Sequence, residues 1–374
     1  MSLVVQAKNY RGLAEVDWEI PPGVSVLVGA NGAGKTTLLF LMDLLRHIVG
    51  SDAGVTGALD FYGGARAIKY LSAPPNEPVL LGARLNDLQW QIEIVPQGGG
   101  VTPNSAERLL SGNDVLFERP ASSPTVTWQG TTFTTDTRSV FRRLAEADLA
   151  GTFPGRPLVE ALKGCHIHFD YDLKRVRQGS EDSPHPRLSW NGLNAFSVLR
   201  NWRDWTPSKK KYDFVVESLR ECFGFFEGLD FQRGGNVTEG WIVERRSKGS
   251  FPAAHVADGW LVALLHFTAV AGAAPGDVVG IDDFENALHP TALRRALDLI
   301  DAYAEANHIS VVLTTQSPLV LDWFDSRPES VFILDRLYLP GPRKLTDLKS
   351  DEWLAHFRLG RKFADGDFGA DTSE

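Results

Sequence analysis

The sequence has few cysteines, no long apolar run and no excess of basic residues. Its two cysteines, Cys165 and Cys222, lie far apart and lack the spacing of a metal site, so we expect two buried thiols in a cytoplasmic protein. No apolar stretch reaches the roughly 18 residues of a membrane-spanning helix, and the first residues lack the pattern of a signal peptide. A net charge of −9 argues against a strongly basic, constitutive nucleic-acid binder.

The order of the predicted elements indicates an α/β fold. Apolar strands that alternate with helices dominate the last third of the chain, and this alternation is typical of a parallel sheet. β-like runs separated by glycine and proline predict an antiparallel sheet with hairpins between residues 51 and 130. Further predictions are strands at 3–8, 24–28 and 166–171, a helix at 36–49, and helices through 191–227.

A phosphate-binding loop is predicted at the start of the chain, where residues 28–38 read V-G-A-N-G-A-G-K-T-T-L. The pattern G-x-x-x-x-G-K-T lies between a predicted strand and a predicted helix, as this motif requires. Glycines let backbone N–H groups face phosphates, and the helix start attracts the same negative charge. Lys35 is expected to reach the β- and γ-phosphates of ATP, and the Thr36 hydroxyl is expected to ligate Mg²⁺. The predicted nucleotide contacts are Asn31, Gly32, Ala33, Gly34, Lys35, Thr36 and Thr37.

An acidic cluster follows the apolar residues 278–281 in the last third of the chain. Asp282 at the strand end is predicted to hold the magnesium ion, and Asp283 to face the attacking water. Glu285 is expected on the same side as Asp283 if extended geometry continues past Phe284, which makes it a second candidate for the catalytic base. A long insertion separates this cluster from the phosphate loop.

These motifs together resemble the ABC-type ATPases of the SMC/RecF/OLD-like group, in particular small bacterial AAA family ATPases with few or no coiled coils. K-N-Y-R-G-L at 8–13 is similar to the N-terminal lobe of that group. V-A-D-G-W at 256–260 resembles its signature L-S-D-G-x, and I-D-D-F-E-N-A-L-H-P at 281–290 resembles I-D-E-P-E-N-x-L-H-P. T-T-Q-S-P at 314–318 resembles the switch loop T-T-H-S-P, and residues 359–369 are similar to the family's C-terminal end.

The resemblance implies a P-loop NTPase fold of the ABC-head type. Residues 1–135 would form an N-terminal ATP-binding lobe with the phosphate loop and the antiparallel sheet. Residues 136–250 would form a mostly helical insertion, and residues 251–374 a parallel α/β lobe with the signature, the acidic motif and the switch loop.

The resemblance also implies a homodimer that closes around ATP and Mg²⁺ and hydrolyses ATP to ADP and phosphate. Arg11 would lie close to the nucleotide. Ala257, Asp258 and Gly259 would face the γ-phosphate held by the partner subunit. The implied role is DNA maintenance or defence against phage together with a separate effector protein, with DNA or RNA as a possible further partner and no membrane.

Three positions depart from the family pattern. Ala257 replaces the signature serine, Asp283 replaces the catalytic glutamate, and Gln316 replaces the switch histidine. A carboxylate that is one methylene shorter lies farther from the water, and a glutamine can orient water but cannot carry a proton. These departures predict intact binding and slow hydrolysis. The alternatives are a hydrolysis-deficient ATP sensor or scaffold that controls a toxic effector, and a RecF-like clamp on DNA.

Two further clusters are weaker candidates. Residues 200–211 interleave aromatic and basic side chains, a composition that suits nucleic acid but more often forms an exposed loop. His166 and His168 alternate along a predicted strand and lack a third metal ligand.

Overall fold

The computed structural model describes residues 2–95, 104–121, 123, 125–128, 130–134, 138–148, 151–335 and 341–369. The strands of these residues are β1 (Leu3–Tyr10), β2 (Leu13–Glu19), β3 (Gly23–Val28), β4 (Val79–Leu85), β5 (Leu88–Val95), β6 (Asn104–Ser111), β7 (Asp114–Arg119), β8 (Thr125–Trp128), β9 (Thr131–Thr134), β10 (Cys165–His168), β11 (Ser180–Glu181), β12 (Phe226–Gly234), β13 (Val237–Glu244), β14 (Ser250–Pro252), β15 (Val278–Ile281), β16 (Ser310–Thr314), β17 (Val331–Ile333) and β18 (Arg343–Lys344).

The helices of the same residues are α1 (Lys35–Gly50), α2 (Gly54–Phe61), α3 (Val140–Ala147), α4 (Arg156–Lys163), α5 (Leu173–Val176), α6 (Ala195–Asp204), α7 (Lys209–Cys222), α8 (Asp258–Gly272), α9 (Pro290–Asn307), α10 (Pro318–Asp322), α11 (Leu345–Leu348), α12 (Asp351–His356) and α13 (Leu359–Ala364).

The first sheet is antiparallel, with the strand order β2-β1-β4-β5-β6-β7. Its edge strands alternate buried and exposed side chains because one face lies on a core and the other faces water. In β2, for example, Leu13, Val16 and Trp18 are buried, and charged residues stand between them. The predicted antiparallel sheet is confirmed, and β2 is a strand that the sequence analysis did not predict.

The second sheet is mainly parallel, with the order β10-β15-β16-β3-β17-β18. The five residues after Gly23 in β3 and all four residues of β15 are buried, as expected for parallel strands that helices cover on both faces. The strands β3, β15 and β16 are neighbours, so their carboxyl ends lie at one edge of the sheet. The predicted phosphate loop follows β3 and the acidic cluster follows β15, so the fold brings the two motifs together.

The segment 136–250 differs from the expected helical insertion. It contains the helices α3 to α7, but it also contributes β11, β12 and β13, which form a four-stranded antiparallel sheet with β14. Its strand β10 belongs to the parallel sheet and ends at His168, three residues before the predicted end at 171. The boundary predicted between 135 and 136 falls on residues outside the described part of the chain, and the three-part division stays a prediction.

The helix α8 is apolar on all sides, and 13 of its 15 residues are buried. It packs against α7 and α9 in the core that lies on one face of the parallel sheet. Only its first turn reaches the surface, where Asp258 is exposed. This turn carries the predicted signature motif.

Candidate nucleotide-binding site

The phosphate loop joins the end of β3 to the start of α1, as its motif predicts. Gly32 and Gly34 have φ angles of 77° and 106°, in the left-handed region that favours glycine. Position 29 requires glycine for a different reason, because a Cβ atom there would lie 2.2 Å from the carbonyl oxygen of Leu334. No side chain caps the helix that follows, so the first N–H groups of α1 remain available to an anion.

Lys35 is buried within this loop. Its Nζ atom donates hydrogen bonds to the carbonyl oxygens of Gly29 at 2.7 Å and Ala30 at 3.1 Å. Burial lowers the pKa of Lys35, and the nearby carboxylates, Asp283 first and then Asp282 and Glu285, oppose that shift. The ammonium group therefore lies against the loop, within electrostatic range of three carboxylates.

Asp282 connects the acidic cluster to the phosphate loop. Its Oδ2 atom accepts a hydrogen bond from the Thr36 hydroxyl at 2.8 Å, and its Oδ1 atom accepts one from the Thr314 hydroxyl at 2.6 Å. The three side chains come from the ends of β15 and β16 and from the first turn of α1. They lie in contact because these elements meet at one edge of the parallel sheet.

The chain turns sharply directly after Asp282. Asp283 has a φ of 47° and donates its backbone N–H to the Thr314 hydroxyl at 2.8 Å. The N–H of Phe284 bonds to the carbonyl oxygen of Thr314 at 3.1 Å. The condition of extended geometry past Phe284 is therefore not met, because the backbone leaves the strand at these residues, although the Glu285 carboxylate still acts on that of Asp283.

Asp283 is partly buried beside two other carboxylates. Burial raises its pKa, the charges of Asp282 and Glu285 raise it further, and the ammonium group of Lys35 acts in the opposite direction. A cation at this site would reduce the repulsion among the three carboxylates.

Glu285 connects the acidic turn to the switch loop. Its Oε1 atom accepts the backbone N–H of Gln316 at 2.9 Å. Its Oε2 atom is buried and has no hydrogen-bond partner within the described residues. The Gln316 side chain itself is exposed. The Glu285 side chain is thus in direct contact with the backbone of Gln316, and both are among the three predicted catalytic residues.

The residues of this site fit ATP with magnesium. The phosphate loop supplies N–H groups and one ammonium group for phosphates. The Thr36 and Asp282 oxygens are hard donors of the type that Mg²⁺ prefers, and their 2.8 Å separation is close to the roughly 2.9 Å between adjacent ligands in octahedral Mg²⁺ sites. Three carboxylates around one ammonium group leave negative charge for such an ion to neutralise.

Arg11 lies beside α1 rather than on the phosphate loop. Its guanidinium group is 5.4 Å from the ring centre of Phe40 and 5.3 Å from that of Tyr62, and it donates to the Tyr62 carbonyl oxygen at 3.2 Å. Arg11 has a φ of 47°, in the turn between β1 and β2. Its contact with the nucleotide stays a prediction.

The signature residues Ala257, Asp258 and Gly259 begin α8 at the surface. The side chain of Asp258 accepts a hydrogen bond from Arg177 at 2.6 Å, and Arg177 also bonds to the carbonyl oxygen of Val256 at 2.7 Å. Within the described residues, the recorded hydrogen bonds of 257–259 reach Arg177 and their own helix, and none reaches Lys35 or Thr36. Gly259 packs against the turn after the acidic cluster, since a Cβ atom there would lie 2.6 Å from the carbonyl oxygen of Ala287. Ala257 and Asp258 are exposed, apart from the phosphate loop.

Sequence reasoning missed two residues of this arrangement. Thr314 was part of the predicted switch loop, but its hydroxyl group was not assigned a role. Thr314 ends the buried strand β16, and this position at a strand end was the signal that could have identified it. Arg177 directly follows the short helix α5, and no pattern in the sequence links it to Asp258.

The weaker candidates have other partners. Among the described residues, no group of three or more His, Cys, Asp or Glu side chains could hold a metal ion. His166 contacts Arg187, and His168 is buried. In the basic stretch, Arg200 pairs with Asp182, while Lys209 pairs with Asp213 and Lys211 lies over the ring of Trp202. These contacts favour a structural role for the stretch.

Comparison with known proteins finds a family model and two relatives that each match part of the chain. A family model described as "AAA domain, putative AbiEii toxin, Type IV TA system" matches residues 166–322. Two proteins named "DNA replication and repair protein RecF", from Paenarthrobacter aurescens (strain TC1) and Arthrobacter sp. (strain FB24), are 47% and 49% identical over 49 residues. Each match covers 12% of this chain and 12% of the relative, so the chain shares only a short part of their length.

A solved structure shows the same fold over most of the chain. The crystal structure of an SMC head bound to the C-winged helix domain of ScpA has a TM-score of 0.50 and 12% identity, and covers 84% of this chain and 90% of that chain. At this identity the likeness concerns the fold alone. The α/β P-loop fold of the ABC-head type is thereby confirmed. Among the described helices, none combines the length and apolar character that a membrane span requires.

Proposed function

We propose that this chain, an SMC/RecF/ABC-like P-loop protein by fold and motifs, binds ATP with magnesium and hydrolyses it slowly to ADP and phosphate. One observation carries the proposal. The phosphate loop and the acidic cluster meet at one sheet edge, where Asp282 bonds to both Thr36 and Thr314. Nothing else in the described residues offers phosphates an ammonium group, helix N–H groups and an oxygen site for a metal together.

Each residue has a role in this proposal. The loop N–H groups and Lys35 bind the phosphates. Thr36 and Asp282 hold Mg²⁺, whose charge offsets that of the phosphates. Thr314 fixes the orientation of the Asp282 carboxylate, as outer residues do at metal sites. Asp283 and Glu285 are the candidates for positioning water.

Slow hydrolysis follows from the groups around the water position. The Asp283 carboxylate is one methylene shorter than the glutamate of the family, and its backbone is turned by a positive φ. A misplacement of about 1 Å can cost about 100-fold in rate. Gln316 can donate a hydrogen bond but cannot carry a proton.

The exposed signature supports association of two chains around ATP. The N–H groups at the start of α8 suit a phosphate group, and the pairing of Asp258 with Arg177 reduces the repulsion that a lone carboxylate would exert. In the proposed homodimer, these residues face the nucleotide of the partner. The ATP-bound dimer is then the state that an effector protein or a nucleic acid recognises.

A role in DNA maintenance or phage defence is proposed from the names of the relatives. The RecF proteins are named for DNA replication and repair, and the family model carries a toxin–antitoxin description. The net charge of −9 favours a protein effector over a DNA clamp.

A second candidate is an ATP sensor with almost no turnover. The substitutions at Ala257, Asp283 and Gln316 favour it, since each removes a group that acts on the γ-phosphate or on water. Both candidates bind ATP, and they differ only in hydrolysis.

Steady-state phosphate release with and without magnesium tests the proposal, next to the binding of a fluorescent ATP analogue. We expect binding in the low micromolar range or tighter, and turnover that Lys35→Ala removes. Binding without turnover would support the sensor. Absence of binding in the wild type would contradict both candidates.

A further inference from the structure

The C-terminal segment Leu359–Gly369 contacts both ends of the predicted ATP site. At its first end, α13 packs against α10, the helix that directly follows the switch loop. The approach is close because a Cβ atom on Gly360 would lie 1.9 Å from the carbonyl oxygen of Pro318. The backbone N–H of Leu359 donates a hydrogen bond to the Asp325 carboxylate at 2.8 Å, and that of Gly360 donates one to the Asp322 carboxylate at 3.0 Å.

At its other end, the segment reaches the phosphate loop. Gly369 has a φ of 66°, and a Cβ atom there would lie 3.4 Å from the Cα atom of Gly29 and 3.1 Å from the ring of Phe363. Gly29 already touches the Leu334 carbonyl oxygen on another side, and its own carbonyl accepts the hydrogen bond from Lys35. The first glycine of the loop is therefore enclosed by backbone from two directions.

The turn between these ends is itself well anchored. Phe368 is 5% exposed, and its ring packs against those of Phe363 at 5.8 Å and Trp353 at 6.1 Å between centres. Lys362 forms an ion pair with Asp367 at 2.7 Å. A segment anchored in this way holds its position when it contacts the loop.

The geometry points to a positioning role for this segment. Residues 359–369 act as a brace that holds Gly29 and the helix after the switch loop in a fixed relation, so that the phosphate loop is ordered before ATP binds. This inference rests on the proposed function. A loop that is already ordered loses less conformational freedom on binding, so loosening the brace lowers ATP affinity more than it lowers turnover at saturating ATP.

The variant Gly369→Ala tests the brace, because its methyl group would crowd the ring of Phe363 at 3.1 Å and fill the contact with Gly29 at 3.4 Å. The matched control is Gly235→Ala. Gly235 has nearly the same φ of 65°, and a Cβ atom there meets nothing within 4 Å. Both variants therefore carry similar backbone strain, but only Gly369→Ala adds a methyl group between the phosphate loop and Phe363.

Affinity for a fluorescent ATP analogue and the thermal midpoint without nucleotide are measured for both variants and the wild type. We expect Gly369→Ala to bind the ATP analogue about tenfold more weakly than the wild type. The affinity of Gly235→Ala is expected to be unchanged. Both variants are expected to lose a similar amount in thermal midpoint. Equal affinities in the two variants would overturn the brace while leaving the proposed function intact. A wild type that fails to bind overturns both.

A milder variant covers the case in which Gly369→Ala does not fold. Asp367→Ala removes the ion pair with Lys362, and Asp365→Ala, whose carboxylate lies 3.9 Å from Arg361, is its control. We expect about threefold weaker binding for Asp367→Ala alone, with turnover at saturating ATP nearly unchanged. Equal binding by the two aspartate variants would contradict the brace.

Discussion

The phosphate side and the signature side of the predicted ATP site are built differently. On the phosphate side, the ends of β3, β15 and β16 and the start of α1 are joined by short hydrogen bonds, with Asp282 between Thr36 and Thr314. On the signature side, Ala257 and Asp258 are exposed, and Arg177 is the side chain that pairs with Asp258.

The difference indicates which parts of the site one chain completes alone. The phosphate side contains its own ammonium group, the oxygens that are proposed to hold the metal, and the Thr314 hydroxyl bonded to Asp282. The signature side presents the start of a helix whose remaining turns are buried, so its rigidity comes from the core while its polar groups face outward. We therefore expect changes on the phosphate side to affect ATP affinity, and changes on the signature side to affect association.

The largest effect is expected for Lys35→Met. This variant keeps much of the length of the side chain but removes the charge that faces the phosphates and the three carboxylates. Removing one partner of a desolvated charge pair between protein and ligand costs roughly 2–5 kcal/mol of binding free energy, so we expect ATP affinity to fall by about 1,000-fold. Equilibrium binding of a fluorescent ATP analogue measures it. Lys163→Met, at a partly exposed lysine of α4, is the control. A Lys35 variant with wild-type affinity would contradict the site.

The next effect is expected for Asp282→Asn, which keeps the shape of the side chain but removes a charge at the metal position. We expect the magnesium concentration for half-maximal ATP binding to rise by about 100-fold, with little change in affinity when magnesium is absent. Titration with MgCl₂ after treatment with a chelator gives both values. An unchanged magnesium dependence would place the metal elsewhere.

A smaller effect on the same side is expected for Thr314→Val. The two side chains have nearly the same shape, so the variant removes the hydrogen bond to Asp282 and the acceptor for the N–H of Asp283. We expect the magnesium concentration for half-maximal ATP binding to rise by about tenfold. Thr268→Val is the matched control, because Thr268 is equally buried and bonds only to its own helix in the recorded contacts. Equal magnesium titrations in the two variants would show that Thr314 does not orient Asp282.

The smallest effect on ATP affinity is expected for Ala257→Trp on the signature side. The bulky ring would block the exposed start of α8 without touching the phosphate loop of the same chain. We expect ATP affinity within about twofold of the wild type at low protein concentration, together with loss of ATP-dependent association. Ala302→Trp, at an exposed alanine of α9, is the control. A large loss of ATP affinity in Ala257→Trp would mean that the two sides are not separate.

The sequence predicted the phosphate side well because its signals are local. A glycine loop between a strand and a helix, and an aspartate after a buried strand, each depend on a few consecutive residues. The pairing of Asp282 with Thr314 depends on which strands are neighbours in the sheet, and no single segment contains that information. Glu285 lies within electrostatic range of Asp283 through a turn, not through strand alternation, because the left-handed φ of Asp283 ends the extended geometry on which the prediction relied.

The sheet that contains β12 and β13 was missed by the sequence analysis for a different reason. Helical spacing in the preceding residues was extended through 227, although β12 begins at Phe226. The G-G-N sequence at 234–236 lies in the turn of this hairpin, where Gly235 has a φ of 65°, and it was a usable signal. Charged residues and glycines within both strands concealed the apolar alternation.

The central claim is that ATP binds between the phosphate side of one chain and the signature side of another. Light scattering of the purified chain with saturating ATP and magnesium, compared with nucleotide-free protein, tests it most directly. The account predicts a shift from the mass of one chain to that of two, absent in both Lys35→Met and Ala257→Trp. A mass that stays at one chain under saturating ATP, with binding confirmed in the same sample, would contradict it.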